Sequence, residues 1–358
     1  MKLKNALVLL ATAASALAPM ARAQVQLTLI GSTAFRSVVK DRVASLFDPN
    51  SMQANTANST TLFYSGTMSN AIPNLGTNAV VVRTDFSGSL TGMNDLKNGV
   101  YEPCINYDGT ATNVLADLAF GEAFPSSATP PIPTSAFGTN EILGVVPFVI
   151  AVNNNLAFSG VQNITREQAS LLLFDSGPGG IPAAFLGATG SGATNVVYLI
   201  GRNNDSGTRI TTEHVLGYIG AESLWTTNGN GGYVTSSGFS SGGAVANAIA
   251  GGTQSIGYLG LSDFSTVATS AVALNFEGVI GNAPNVANGK YPLWGYEHLY
   301  SRIGLSPNQQ AVRDALVAAI TSQTYQTTNP LWYDYFVGLT QMTVSRTTDG
   351  GQITGNTF

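Results

Sequence analysis

The sequence predicts an α/β protein of two domains, each with a largely parallel sheet. Three observations lead there. Short apolar runs of strand length alternate with stretches whose apolar residues recur at helical spacing. Three of those runs end in a small, hydroxyl-rich loop that opens a helix. The chain has 358 residues, and taking off an N-terminal leader of 23 leaves 335, about two domains at roughly 100–200 residues each.

The leader reads as a secretory signal peptide. Lys2 and Lys4 precede an apolar stretch from Ala6 to Ala18, and Ala21-Arg22-Ala23 supplies a small-residue cleavage site before Gln24. No other apolar run approaches the roughly 20 residues of a membrane span, and no cysteine follows the cleavage site to carry a lipid. The expected destination is the periplasm or the exterior.

Cleavage removes Lys2, Lys4 and Arg22 from fifteen basic residues set against twenty acidic ones, which takes the mature chain to −8. That balance argues against nucleic acid as a partner and offers an anion no global steering, so any anion site has to be local. Cys104 is the single cysteine, which rules out an internal disulfide. With only His214 and His298 besides, and no calcium-loop motif, neither a metal nor another cofactor is expected.

The elements follow in order. Gln26–Ile30 is strand-like, and after Gly31-Ser32-Thr33 the residues Phe35, Val38, Val39, Val43, Leu46 and Phe47 share one helical face. Thr61–Tyr64 is a second short strand, followed by Ser65-Gly66-Thr67 and a short helical stretch. Ala79–Val82 leads into Arg83-Thr84-Asp85. From Gly88 to Asn140 the pattern is lost, and the segment reads as a long insertion of loops. Leu143–Val152 is a continuous apolar run long enough to cross between two domains. Thr165–Phe174 is helical, Val196–Ile200 a strand, Thr208–Ile219 a helix, Ala244–Ala250 a helix and Ile256–Leu259 a strand. Ser306-Pro307-Asn308-Gln309 combines an N-cap, a first-turn proline and a capping-box glutamine, so a helix starts there and runs to about Ser322.

The loops Ser32-Thr33, Ser65-Gly66-Thr67 and Ser206-Gly207-Thr208 share one design. In an open α/β sheet such loops gather at the carboxyl edge, where ligands bind. Hydroxyl and backbone N–H groups are neutral donors suited to an oxyanion, and Arg202 adds a forked cation beside the third loop. The same hydroxyls also serve as helix N-caps, and Asp85 as an Asx-turn residue.

The blocks IGSTAF, YSGT, RTDFSG, VPFVIAVN, ITREQASLLLF, RNNDSGTR, SGGAVANAIAGGTQSIGYLGLSD and YPLWGYEHLY occur in this order over most of residues 27 to 300. In them the chain resembles the PstS-like periplasmic phosphate-binding proteins of ABC transporters, within the type 2 periplasmic binding proteins. The resemblance implies a two-lobed fold with the ligand in the interlobe cleft. Lobe 1 would combine residues 24–146 and 265–358, with 88–140 as the loop-rich insertion, and lobe 2 would be residues 147–264. It implies a monomeric, non-enzymatic receptor that delivers inorganic phosphate or a similar oxyanion to a membrane permease. Carried over residue by residue, Ser32, Thr33, Ala34 and Phe35 resemble the first phosphate loop, and Ser65 the second serine contact. Asp85 resembles the acceptor of the phosphate proton, and Arg202, Ser206, Gly207 and Thr208 the clamp of the second lobe. The first loop is shorter than the family's usual one, and Asp85 is followed by Phe86-Ser87 where a small residue and proline are common.

Two other classes remain open. Gly238-Phe239-Ser240-Ser241-Gly242 fits the G-x-S-x-G motif of serine hydrolases, with Asp263 and His298 downstream, but a glycine-rich stretch precedes it where a nucleophile elbow needs a strand. The loop-rich composition also suits a surface or adhesive protein that keeps the fold with a changed or lost ligand.

Overall fold

Burial begins with the first described strand. Leu27, Leu29 and Ile30 are buried on both faces of β1 (Val25–Gly31), the pattern of a central strand. The computed structural model describes residues 24–69, 72, 75, 78–155, 158–175, 181–218 and 220–355. The leader lies outside them, as does most of the helical stretch expected after Thr67.

After β1 the chain forms α1 (Arg36–Leu46), β2 (Gln53–Asn55), β3 (Phe63–Gly66), β4 (Val80–Asp85), α2 (Ser89–Asn98), β5 (Tyr101–Ile105), β6 (Ala111–Leu115), β7 (Leu118–Gly121) and the long β8 (Thr139–Asn153). It continues through β9 (Asn163–Ile164), α3 (Arg166–Asp175), β10 (Ile181–Pro182), β11 (Val196–Ile200), α4 (Gly207–Leu216), β12 (Leu224–Thr227) and β13 (Tyr233–Ser236). Then come α5 (Gly242–Gly251), β14 (Ser255–Gly260), α6 (Leu261–Ser265), β15 (Ala271–Ala273), β16 (Asn275–Phe276), α7 (Ala283–Ala287), β17 (Trp294–Ser301) and α8 (Pro307–Thr321).

One sheet runs through both halves in the order β10-β11-β14-β8-β17-β7-β1-β4-β3-β2, with β15 also on β8. Parallel pairing holds together β4, β1 and β7, and separately β11 and β14. These are the strands that lead into the polar junctions. β8 joins the two groups. Its residues Thr139–Pro147 pair with β17, and from Phe148 onward it pairs with β14. The change of partner falls at Pro147, which has no N–H to give to either neighbour.

The segment from Gly88 to Asn140 is not a run of loops. It holds α2, the β5–β6 hairpin and β7, a member of the central sheet. Each piece is too short or too interrupted to show a period. In α2 the buried Leu90, Met93 and Leu96 alternate with Thr, Gly, Asn and Asp, and β7 is four buried residues.

Helices cover both faces. Val38, Val39 and Val43 of α1 share a core with Val312, Leu316 and Ile320 of α8, each buried side chain contributing about 1.5–3 kcal/mol. On the other face α2 packs on Ile30 and Ala119, and α5 buries Val245, Ala246 and Ile249 against Val149, Ile200 and Leu259. The Ser306 capping box starts α8 as expected.

Candidate functional site

Because β4, β1 and β7 are parallel, their carboxyl ends leave the sheet along one edge, and short backbone bonds tie the outgoing loops together. Gly88 donates to the Gly31 carbonyl at 2.9 Å, Ser32 to that of Phe120 at 2.8 Å, and Leu90 to that of Asp205 at 3.0 Å. The last bond reaches the loop after β11, so the Arg202–Thr208 junction faces the other three. Gly31 has to be glycine here: its φ is +103°, and a Cβ would lie 2.1 Å from the Phe120 carbonyl oxygen.

Glu122, the residue after β7, sits on the N-terminus of α4. Thr208 donates its backbone N–H and its hydroxyl to one carboxylate oxygen at 2.9 and 2.8 Å, and Ser89 donates its hydroxyl to the other at 2.5 Å. Glu122 is 1% exposed. Gly207 makes the approach possible, since a Cβ there would lie 2.7 Å from Ser89 Oγ and 2.8 Å from Glu122 Cγ. Ser206 is the N-cap and accepts from the Arg209 N–H. A helix N-terminus with open donors is where an anion binds, and the protein's own carboxylate occupies this one.

Arg202 lies beside it, 1% exposed. Its Nε donates to the Phe239 carbonyl at 3.1 Å and its Nη2 to that of Ser240 at 3.0 Å, while Nη1 is buried with no partner. Burial pulls its pKa down, against the fields of Glu122 and Asp263. Asp263 lies against Gly242 at the start of α5 and pairs with Arg36 at 3.3 Å, yet burial lifts its pKa to about 6 despite Arg36 and Arg202. Further buried atoms here lack partners: Thr33 Oγ1, Ser37 Oγ, Arg36 Nη1 and Asp263 Oδ2. No side chain caps α1. A buried cluster of open donors and open acceptors is matched by a ligand that brings both.

Glu297 on β17 completes the group. It is 0% exposed, and neither carboxyl oxygen makes a hydrogen bond. Burial first, and Glu122 second, push its pKa well above the usual carboxylate range. The Ser32 hydroxyl opposes this in part, although it falls short of a hydrogen bond.

Of the residues the sequence singled out, Ser32, Thr33, Ala34, Arg202, Ser206, Gly207 and Thr208 converge on this edge. Phe35 is at the junction too, but its ring belongs to the core, edge-on to Trp332 and Phe336 with centroids 5.8 and 5.3 Å away. Two residues part company with the rest. Ser65 is at the far side of the sheet: β3 runs antiparallel to β4, and Ser65 is level with Val81 rather than Asp85. That separates it from the site edge by four residues of strand, about 13 Å. Asp85 ends β4 at the correct edge, but its carboxyl interacts with Asp95 and Glu102 on α2 and β5. Burial, and then Asp95, raise its pKa to about 6.

Ser89, Glu122, Glu297 and Arg36 were missed, and Asp263 was singled out only for the hydrolase reading. For Glu122 a signal existed. Leu118-Ala119-Phe120-Gly121 is an apolar run ending in glycine, the same grammar as the strand before Ser32. The hydrolase constellation does not assemble. His298 Nδ1 bonds Asn140 at 3.0 Å, with its ring stacked on Tyr300, while Asp263 is held by Arg36.

With this geometry in hand, three known proteins bear on the fold. A substrate-binding protein of Clostridium perfringens, described as belonging to a phosphate ABC transporter and solved with bound phosphate, superposes with a TM-score of 0.57 at 15% identity over 87% of this chain and 99% of its own. The chain has the fold of the two-lobed periplasmic binding proteins. A protein described as a periplasmic metal binder shares it at a TM-score of 0.50, with 12% identity over 88% of this chain and 96% of its own, so the fold by itself does not fix the ligand. In sequence, the phosphate-binding protein PstS of Bacillus subtilis is 32% identical over 113 residues, which is 31% of this chain and 33% of that relative's length. No protein-family model matches the chain.

Proposed function

We propose that this chain is an extracytoplasmic solute-binding protein that captures inorganic phosphate for an ABC importer. The observation that carries the reading is Glu122 on the α4 N-terminus with the unpaired Nη1 of Arg202 beside it. Arg202, Thr33 and the amides opening α1 and α4 supply donors to an oxyanion. Glu122 stands at the same point as an acceptor, so the matching anion is one that carries a proton. Hydrogen phosphate has that proton and sulfate at neutral pH has none. Separation of the two halves of the cleft frees Thr208 from Glu122, and a phosphate entering between them rejoins the two through its own oxygens and proton.

Glu122 therefore takes the role that the family resemblance assigned to Asp85. The lobes are taken as residues 24–146 with 265–358, and 147–264, the first boundary falling where β8 changes partners, while β15 and β16 pair with β8 and β9 and carry the second half on to Phe276. Among the described residues no helix is long and apolar enough to cross a membrane. Delivery to a membrane permease by a monomer exported through the N-terminal leader fits this reading. The PstS likeness supports it over a third of that protein's length.

Calorimetric titration tests it. Wild type is expected to bind phosphate and to reject sulfate by about 10⁴-fold or more, since a site built around a ligand proton leaves a carboxylate facing an anion when the proton is missing. Glu122→Gln supplies a donor and narrows that gap, whereas Asp85→Asn leaves both affinities as they were. Equal affinities for the two anions in wild type would remove Glu122 from the ligand.

A further inference from the structure

We propose that Glu297 is a further ligand-contacting residue, which meets the bound oxyanion as an uncharged carboxylic acid and donates a hydrogen bond to it while Glu122 accepts the anion's own proton. This rests on the oxyanion reading of the cleft and adds a residue to which that reading assigns no role.

The argument starts from the strand. Tyr296 and His298 of β17 lie together on one face, their rings packed with Phe124, and alternation puts Glu297 on the other, beside Ser32 and Glu122. Its antiparallel neighbour is Gly144, where a Cβ would lie 2.8 Å from the Trp332 ring. Directly opposed residues share a face, so Glu297 rises beside an aromatic wall. Nothing there pays for a charge: among the described residues no hydrogen-bond donor reaches either carboxyl oxygen of Glu297.

The groups that face it are few. From the end of β7 comes Glu122 and from the β1–α1 junction the Ser32 hydroxyl, while Tyr300 of its own strand stacks on His298 on the opposite face. On α4, which packs against β17, Arg209 is engaged by Glu213 and Glu222, and Thr211 bonds the Glu122 carbonyl. Two carboxyl groups in one dry site do not both ionise. Glu122 has three donors and a helix N-terminus. Glu297 has none of these and holds its proton, in line with the direction of its pKa. A buried neutral acid is a strong donor to an oxyanion, and it adds no negative charge to the site.

Titrations of wild type, Glu297→Gln and Glu297→Leu with inorganic phosphate read this out. Near neutral pH Glu297→Gln, which keeps a neutral donor, stays within about threefold of wild type, while Glu297→Leu weakens binding by about tenfold or more. As the pH is raised above neutrality wild type loses affinity when Glu297 ionises, and Glu297→Gln does not. Equal binding by wild type and Glu297→Leu, or a Glu297→Gln variant as weak as the leucine one, would overturn the proposal. A carboxyl carbon-13 spectrum of wild type, assigned by subtraction of Glu297→Gln, provides a readout without ligand. An uncharged Glu297 signal at neutral pH supports the proposal and an ionised one sinks it. Absence of any phosphate binding in wild type sinks the oxyanion reading instead.

Discussion

Arg202 is buried as a cation with no ion-pair partner among the described residues, held by two carbonyls and left with a free Nη1. Leaving a charged donor unpaired at a buried site costs more than an ordinary hydrogen bond returns, so the arrangement makes sense when a ligand completes it. Arg202→Ala removes that donor and leaves an anion facing neutral hydroxyls. Charge-assisted hydrogen bonds contribute about 1.5–3 kcal/mol each, so loss of this one together with its electrostatic reach should weaken phosphate binding about a hundredfold. Circular dichroism establishes whether the variant is folded, and an unchanged affinity in folded protein would place the ligand elsewhere.

At the scale of elements, the site is made where a parallel strand turns into a helix, and Gly207 shows how little room there is. Gly207→Ala introduces a Cβ within 2.7 Å of Ser89 Oγ and 2.8 Å of Glu122 Cγ, and both sit on the opposite side of the cleft. The methyl group suits a helix, so the loss falls on closure rather than on α4. The expected result is phosphate affinity reduced about tenfold or more with the melting temperature of ligand-free protein nearly unchanged, measured by calorimetry and thermal unfolding.

These junctions also show how far the sequence could be read. Ser32-Thr33 and Arg202–Thr208 were legible because a clear apolar strand precedes each and a periodic helix follows. The reading failed at Ser65 because strand direction is a property of pairing, and nothing in Phe63-Tyr64-Ser65-Gly66 says whether it runs with or against β4. It failed at Glu122 because β7 is four residues long inside a stretch with no period, and strand order along a sheet is not written in any one strand. Asp85 misled for a third reason. It stands at the end of its strand, but its carboxyl interacts with Glu102, and which way a terminal side chain turns is not written in the strand's pattern.

Over the whole molecule, buried acids outnumber the cations that reach them, and this fixes the sign of the pH dependence of stability. Burial lifts Asp85 to about 6, Glu102 to about 7, Asp263 to about 6 and Glu222 to about 8, against ordinary values near 4. Each binds its proton more tightly folded than unfolded. Between about pH 4 and the folded value the native state therefore holds more protons than the unfolded chain, and stability falls as pH rises. His298, which burial lowers to about 4, acts in the opposite direction between that value and its ordinary one of about 6.5, one group against four. The melting temperature of ligand-free protein should therefore drop from about pH 5 to about pH 8 at constant ionic strength. Glu102→Gln and Asp85→Asn, distant from the proposed ligand, should each flatten the slope without changing phosphate affinity. Phosphate itself adds stability by mass action, about 2.7 kcal/mol at a hundred times its dissociation constant, so the two effects separate when the scan is repeated with ligand. A melting temperature that rises steadily from pH 5 to 8 would mean that these carboxyls ionise in the folded protein at ordinary values, with partners that the closed cleft does not provide.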